Sequence, residues 1–135
     1  MKMREYVRLE TRILLRGLAV RVNRAARTGD AEAIHDLRVA VRRLSRCLRA
    51  FAQFYPRDSW KPIRRRLRGL MSACGGVRDR DIAIELLEKA GVPVVSTLPR
   101  RLDEERHAAA EDLRRKLLRW KHRDYRRRWR ARLEL

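Results

Sequence analysis

The stretch 34-IHDLRVAVRRLSRCLRAF-51 reads as one helix with two distinct sides. Ile34, Leu37, Val41, Leu44, Leu48 and Phe51 alternate by three and four residues, which sets them on a single face to be buried. At 100° per residue, His35, Arg38, Arg42, Arg46 and Arg49 fall within about 80° of one another, and the apolar set centres roughly 130° away. Arg43 lies off this stripe, toward the opposite flank. The arginines therefore form a coherent band beside the buried face.

Working outward, 28-TGD-30 separates this helix from one before it: Gly29 suits a helix end and Asp30 a cap for the next start. The pattern predicts a first helix over 4–27, carrying Tyr6, Leu9, Ile13, Leu14 and Val20, and a second over 31–54, broken by Tyr55-Pro56. A third, over 59–74, has Pro62 in its first turn and the apolar line Ile63, Leu67, Leu70, Met71 and Cys74, with Gly75-Gly76 as its stop. A fourth, over 78–90, opens on Arg78-Asp79-Arg80-Asp81, with acids near the positive end of the helix dipole. After the loop GVPVVSTLP, a long last helix is expected over 99–132, with Leu102, Ala109, Leu113, Leu117 and Trp120 in line. The fold class expected is all-α: one domain, 1–135, an antiparallel bundle of four to five helices with a long C-terminal helix.

Composition narrows the function. Lys and Arg number 36 against 17 Asp and Glu, a net charge of +19 and a pI near 11.6. So large a charge repels itself in a compact chain, and a polyanionic partner relieves the repulsion. Nucleic acid, an anionic membrane surface and inorganic polyphosphate all qualify on composition. No apolar run approaches the roughly 20 residues that span a bilayer, and the N-terminus mixes Arg and Glu through its apolar residues, unlike a signal peptide. Cys47 and Cys74 sit within apolar helical patterns and lack a CxxC partner. They read as buried thiols in a reducing compartment, and a cytoplasmic location is expected.

The third helix repeats the two-sided design, with Lys61, Arg64, Arg65 and Arg68 on one side and its apolar line on another. Residues 35–68 contain eleven Lys/Arg and only two acids, Asp36 and Asp58. A solvated bundle face normally mixes Glu among its cations; this one scarcely does. If the second and third helices pack antiparallel, their stripes line one groove. Arginine suits phosphate there, because its planar fork binds oxyanions through two donors at once.

A second basic block occupies 114–132, with eleven Lys/Arg against Asp124 alone, interleaved with Trp120, Tyr125 and Trp129. Such a helix can stack nucleic-acid bases or lie on a membrane surface; alternatively Trp120 belongs to the core. Of the three histidines, His107 and His122 lie in charged surroundings. His35 sits near the start of its helix on the arginine stripe, where it can donate to an oxyanion. Asp36, about 100° round the helix, is badly placed to orient it as a catalytic base. No catalytic residue, metal ligand set or cofactor motif is expected: HExxH, P-loop and GxGxxG are all missing.

Two segments, 35-HDLRVAVRRLSRCLRAF-51 and 67-LRGLMSACGGVRDRDIAIELL-87, together resemble the CHAD domain (conserved histidine α-helical domain). His35, Leu37, Arg38, Val39, Arg42, Arg43, Leu44, Leu48 and Phe51 match its first motif; Leu67, Leu70, Gly75, Arg78, Asp79 and Asp81 match its second. The resemblance implies four-helix bundles with a basic groove that binds inorganic polyphosphate. It also implies association with CYTH-type triphosphatase domains or polyphosphate-granule proteins. Family domains hold two pseudo-symmetric bundles, whereas this length suffices for one, which leaves three alternatives: a half-length domain acting alone with a shorter groove, a homodimer that restores the pair, or a piece of a longer protein. Arg80 stands where the family has an apolar residue, Cys74 where it commonly has Leu, and Arg46 one place after the usual arginine.

The expectation is thus a non-enzymatic module that binds polyphosphate through His35, Arg38, Arg42, Arg43, Arg46, Arg49, Lys61, Arg64, Arg65 and Arg68, with Arg78 beside them. The alternatives are a nucleic-acid-binding protein using the 114–132 block and a phosphohydrolase or phosphotransferase dependent on His35.

Overall fold

The computed structural model describes residues 1–135, and every regular element in it is helical. The order is α1 (Met3–Thr28), α2 (Ala31–Ala50), a 3-10 turn (Ala52–Phe54), α3 (Trp60–Lys89), α4 (Thr97–His122) and α5 (Tyr125–Leu133). The α1–α2 turn forms as the sequence predicts. Gly29 adopts φ 62°, its N–H donates to the Ala25 carbonyl at 2.9 Å, and the Asp30 carboxylate accepts from Ala33 N–H at 2.8 Å.

Three predicted boundaries change. The expected helices 59–74 and 78–90 are one helix, α3, which runs straight through Gly75-Gly76. Two helical glycines cost about 1 kcal/mol each relative to alanine. The buried line Leu70, Cys74 and Val77 keeps one packed face across them and offsets that cost. The expected 99–132 helix divides instead, because Asp124 takes the left-handed conformation at φ 51° and turns α5 back onto the bundle. Trp120, Tyr125 and Trp129 then pack as a buried aromatic trio, with centroids 5.1–5.2 Å apart. Finally, α2 stops at Ala50, and 52–54 tightens into the 3-10 turn.

Neighbouring helices run antiparallel, and α4 closes the ring against α1. Four cross-helix contacts fix the register. Arg24 donates to Asp36 at 2.8 Å, Arg64 Nε to Ser45 Oγ at 3.1 Å, and Arg106 Nε to Asp81 at 2.7 Å. Arg106 also donates to the Gly29 carbonyl at 3.1 Å, tying α4 to the α1–α2 turn. The core between them is aliphatic, built from fully buried Leu15, Leu18, Ile34, Leu37, Leu67, Leu70 and Leu117 with their neighbours.

One polar knot lies inside. Thr11, wholly buried, donates to the Val7 carbonyl at 2.6 Å and accepts from the Tyr55 hydroxyl at 2.7 Å; Cys47 Sγ lies 3.6 Å from the same phenol oxygen. The knot anchors the α2–α3 connection to α1. Burial raises the Tyr55 hydroxyl pKa above its ordinary value. No helix is long and apolar enough to cross a membrane.

Candidate anion groove

The antiparallel packing of α2 and α3 sets their arginine stripes face to face. Arg42, Arg46 and Arg49 from α2 and Arg64 and Arg68 from α3 line one open groove of about 310 Å³. Its floor is apolar, formed by Val41, Leu67 and Met71. Ser45 takes only the Nε–H of Arg64, which leaves that guanidinium's terminal nitrogens free to point at a ligand.

Arg38 lies outside this lining, one turn before Arg42 on the same stripe of α2. That side chain is half-buried beside Cys74, and its Nε is sealed from solvent with no hydrogen-bond partner. Burial raises the Cys74 thiol to about 12, although the nearby Arg38 charge pulls the other way. Cys74 is therefore a protonated, inert thiol at neutral pH. Arg78 is half-buried on the same side of α3 as Arg64, Arg68 and Met71, by its helical position. None of these seven arginines joins an ion pair.

Four predicted site residues go elsewhere. His35 is exposed and lines the α1–α2 cleft with Asp36, Arg21 and Arg43, about 10 Å along the helix axis from Arg42. Arg43 shares that cleft. Arg65 faces α4 instead of α2, because it lies 100° round the helix from Arg64. Lys61 is spoken for: its ammonium is 2.9 Å from Asp58 and it lies outside the groove. His107 and His122 are exposed, and no group of three or more His, Cys, Asp or Glu stands where it could hold a metal ion.

The second motif divides by role. Asp81 binds Arg106, and Arg80 bonds the Gly76 carbonyl at 3.2 Å and pairs with Glu105 at 3.6 Å. These two hold α3 to α4, while Arg78 stays free.

Charge is also sorted along the bundle axis, a feature that no single helix reveals. Segments 22–38 and 73–113 make up one end and carry nine Lys/Arg and twelve Asp/Glu, a net −3. The other end, made of 1–21, 39–72 and 114–135, carries 27 and five, a net +22. All of the excess charge therefore sits at the end that holds the five-arginine groove.

The CHAD domain family model matches residues 12–135. The chain belongs to the CHAD domain family. No curated protein and no solved structure matches it. Within this CHAD domain, the first motif supplies Arg42 to the groove, sets Arg38 one turn away on the same stripe, and sends His35 and Arg43 to the α1–α2 cleft. The aromatic residues of the C-terminal block are buried in the trio, so they offer no ring face for stacking. The burial of Trp120 follows its place in the apolar line of α4, whereas that of Tyr125 and Trp129 was unreadable because nothing in 114–132 flags Asp124 as a turning point.

Proposed function

We propose that this CHAD domain is a non-catalytic module that binds inorganic polyphosphate along the α2–α3 groove. The observation that carries the reading is the convergence of Arg42, Arg46, Arg49, Arg64 and Arg68 on one groove, with no carboxylate lining it or pairing with them. Like charges so close destabilise a free helix by roughly 0.2–0.5 kcal/mol per i,i+4 pair, and a bound polyanion removes that repulsion. Repeated guanidinium–phosphate pairs along a chain supply affinity without reading any base. A linear ligand with one charge per phosphate suits an open groove lined by cations from two helices. Membership of the family points the same way, and polyphosphate granules or a CYTH-type triphosphatase partner are the settings that follow from it.

The test is titration with polyphosphates of defined length against wild type and an Arg42→Ala/Arg68→Ala variant, at two salt concentrations. The reading expects a loss of at least tenfold in the variant and weaker binding at higher salt. Unchanged affinity would exclude the groove.

Two rivals are tested alongside. Duplex DNA or RNA displacing long-chain polyphosphate at comparable concentration would favour nucleic acid, although the buried rings of the C-terminal block weaken that case. Phosphate release abolished by His35→Ala would make the protein an enzyme. A homodimer completing two bundles is also proposed. It is supported by Met3, Tyr6, Ile13 and Val20, exposed in line down α1, and is read by mass in solution.

A further inference from the structure

On the opposite flank of α3 from the groove, a second cleft opens between α3 and α4. Arg65, Arg66, Lys116, Arg119 and Arg123 line about 320 Å³, again with no carboxylate in the lining. None of the five joins an ion pair. The nearby acids are engaged or turned away: Glu111 is shared by Arg114 and Arg115, Asp112 pairs with Arg115, and Asp124 lines a separate hollow with Arg126, Arg127 and Arg130.

The floor is specific. Gly69 lies inside α3, where glycine costs helix stability, and a Cβ there would come 3.4 Å from Lys116 Nζ. The missing side chain lets the ammonium fold onto the α3 backbone instead of extending into water. Both Lys116 and Arg66 are half-buried, although such side chains normally leave their heads in solvent. Trp120 walls the cleft with only 6% of its surface exposed. It adds shape but no ring for a base to stack on.

We propose that the α3–α4 cleft is a second, separate anion site that takes a compact polyphosphoryl group, such as the end of an inorganic chain or the phosphate tail of a nucleotide. Its five cations come from two helices held in register by the core, so the site exists before any ligand arrives. It stands independently of the α2–α3 groove, from which the body of α3 separates it.

Calorimetric titration with tripolyphosphate tests the assignment in three variants: Lys116→Ala/Arg119→Ala in the cleft, Arg42→Ala/Arg68→Ala in the groove, and Arg100→Ala/Arg101→Ala at the opposite end, whose net charge is −3. Wild type is expected to bind two equivalents. The cleft variant should lose one of them, or weaken it roughly tenfold or more, while the Arg100/Arg101 variant, matched in charge, keeps both. Loss at the groove variant alone would overturn the cleft. So would an equal loss at Arg100/Arg101, which would mean the ligand senses only net charge. Loss at the cleft variant alone would instead sink the groove reading and leave the cleft standing. Titration with ATP in the absence of metal separates the two sources. Affinity no better than that of tripolyphosphate fits a cleft that reads phosphate alone, and much tighter ATP binding would overturn a site with no base-stacking surface.

Discussion

Replacing Gly75 and Gly76 with alanine should make the protein more stable. They are the sixteenth and seventeenth residues of the 30-residue α3, and a Cβ built at either meets nothing within 4 Å. Neither has a positive φ, so alanine adopts the same backbone without strain. Glycine in a helix interior costs about 0.8–1 kcal/mol relative to alanine, largely through the freedom of the unfolded chain. The double variant should therefore gain about 1.5–2 kcal/mol. For a chain of this length that raises the midpoint by about 5–8 °C, read by circular dichroism on heating and by urea unfolding with an unchanged slope. A loss of stability would refute the reasoning, because it would mean that the helix needs a bend or a close approach there. Size matters differently at the two positions. Gly75 continues the side of α3 that bears Arg64, Arg68 and Met71, whereas Gly76 lies 100° further round. Gly75→Leu should project into the groove and weaken polyphosphate binding, and Gly76→Leu should leave it unchanged. Equal effects at the two would show that the groove stops short of Gly75.

Three further outcomes follow from contacts in the core and between α3 and α4. Asp81→Ala should cost about 2 kcal/mol, since it strands the half-buried Arg106 guanidinium. A double-mutant cycle with Arg106→Ala should recover a clear coupling energy in urea unfolding. Thr11→Val should cost about 1–2 kcal/mol in the same assay, because the Tyr55 hydroxyl loses the acceptor it bonds in the core, and adding Tyr55→Phe should restore part of the loss. Stability should also fall in alkali. Cys74 rises from an ordinary 9.0 to about 12 and Tyr125 from 10.0 to about 12, so the unfolded chain releases these protons first. Their contribution is complete below pH 9 and drains away as pH climbs toward 12; Cys74→Ala should flatten that decline, measured as unfolding midpoint against pH.

What could be read from the sequence was local. Gly29 and Asp30 announce a helix end and a helix start through their own chemistry, and the three–four spacing of Ile34 to Leu48 fixes where Arg42, Arg46 and Arg49 point. What could not be read depends on contacts made elsewhere. Gly75-Gly76 looked like a stop because the packing that carries α3 across it comes from other helices. Asp124 gives no sign of its left-handed turn, which exists because Tyr125, Trp129 and Leu133 gain burial by folding back. Lys61 was lost from the groove to a carboxylate three residues away, and Arg65 to one step of helical rotation. The α3–α4 cleft needed Arg65 and Arg66 to meet Lys116 and Arg119 across about fifty residues of chain, a pairing that no wheel of a single helix displays.

The division of charge into a +22 end and a −3 end has a consequence for how the molecule would approach a polyanion. The bundle is an electrical vane. In the field of a polyanion it experiences a torque as well as a pull, and it turns the end with the arginine groove forward before any contact forms. Salt that shortens the reach of that field slows the turning along with the attraction. Under the proposed binding, the end turned away from the polyanion carries only a small net charge of −3, so neighbouring copies on one chain would repel each other weakly there.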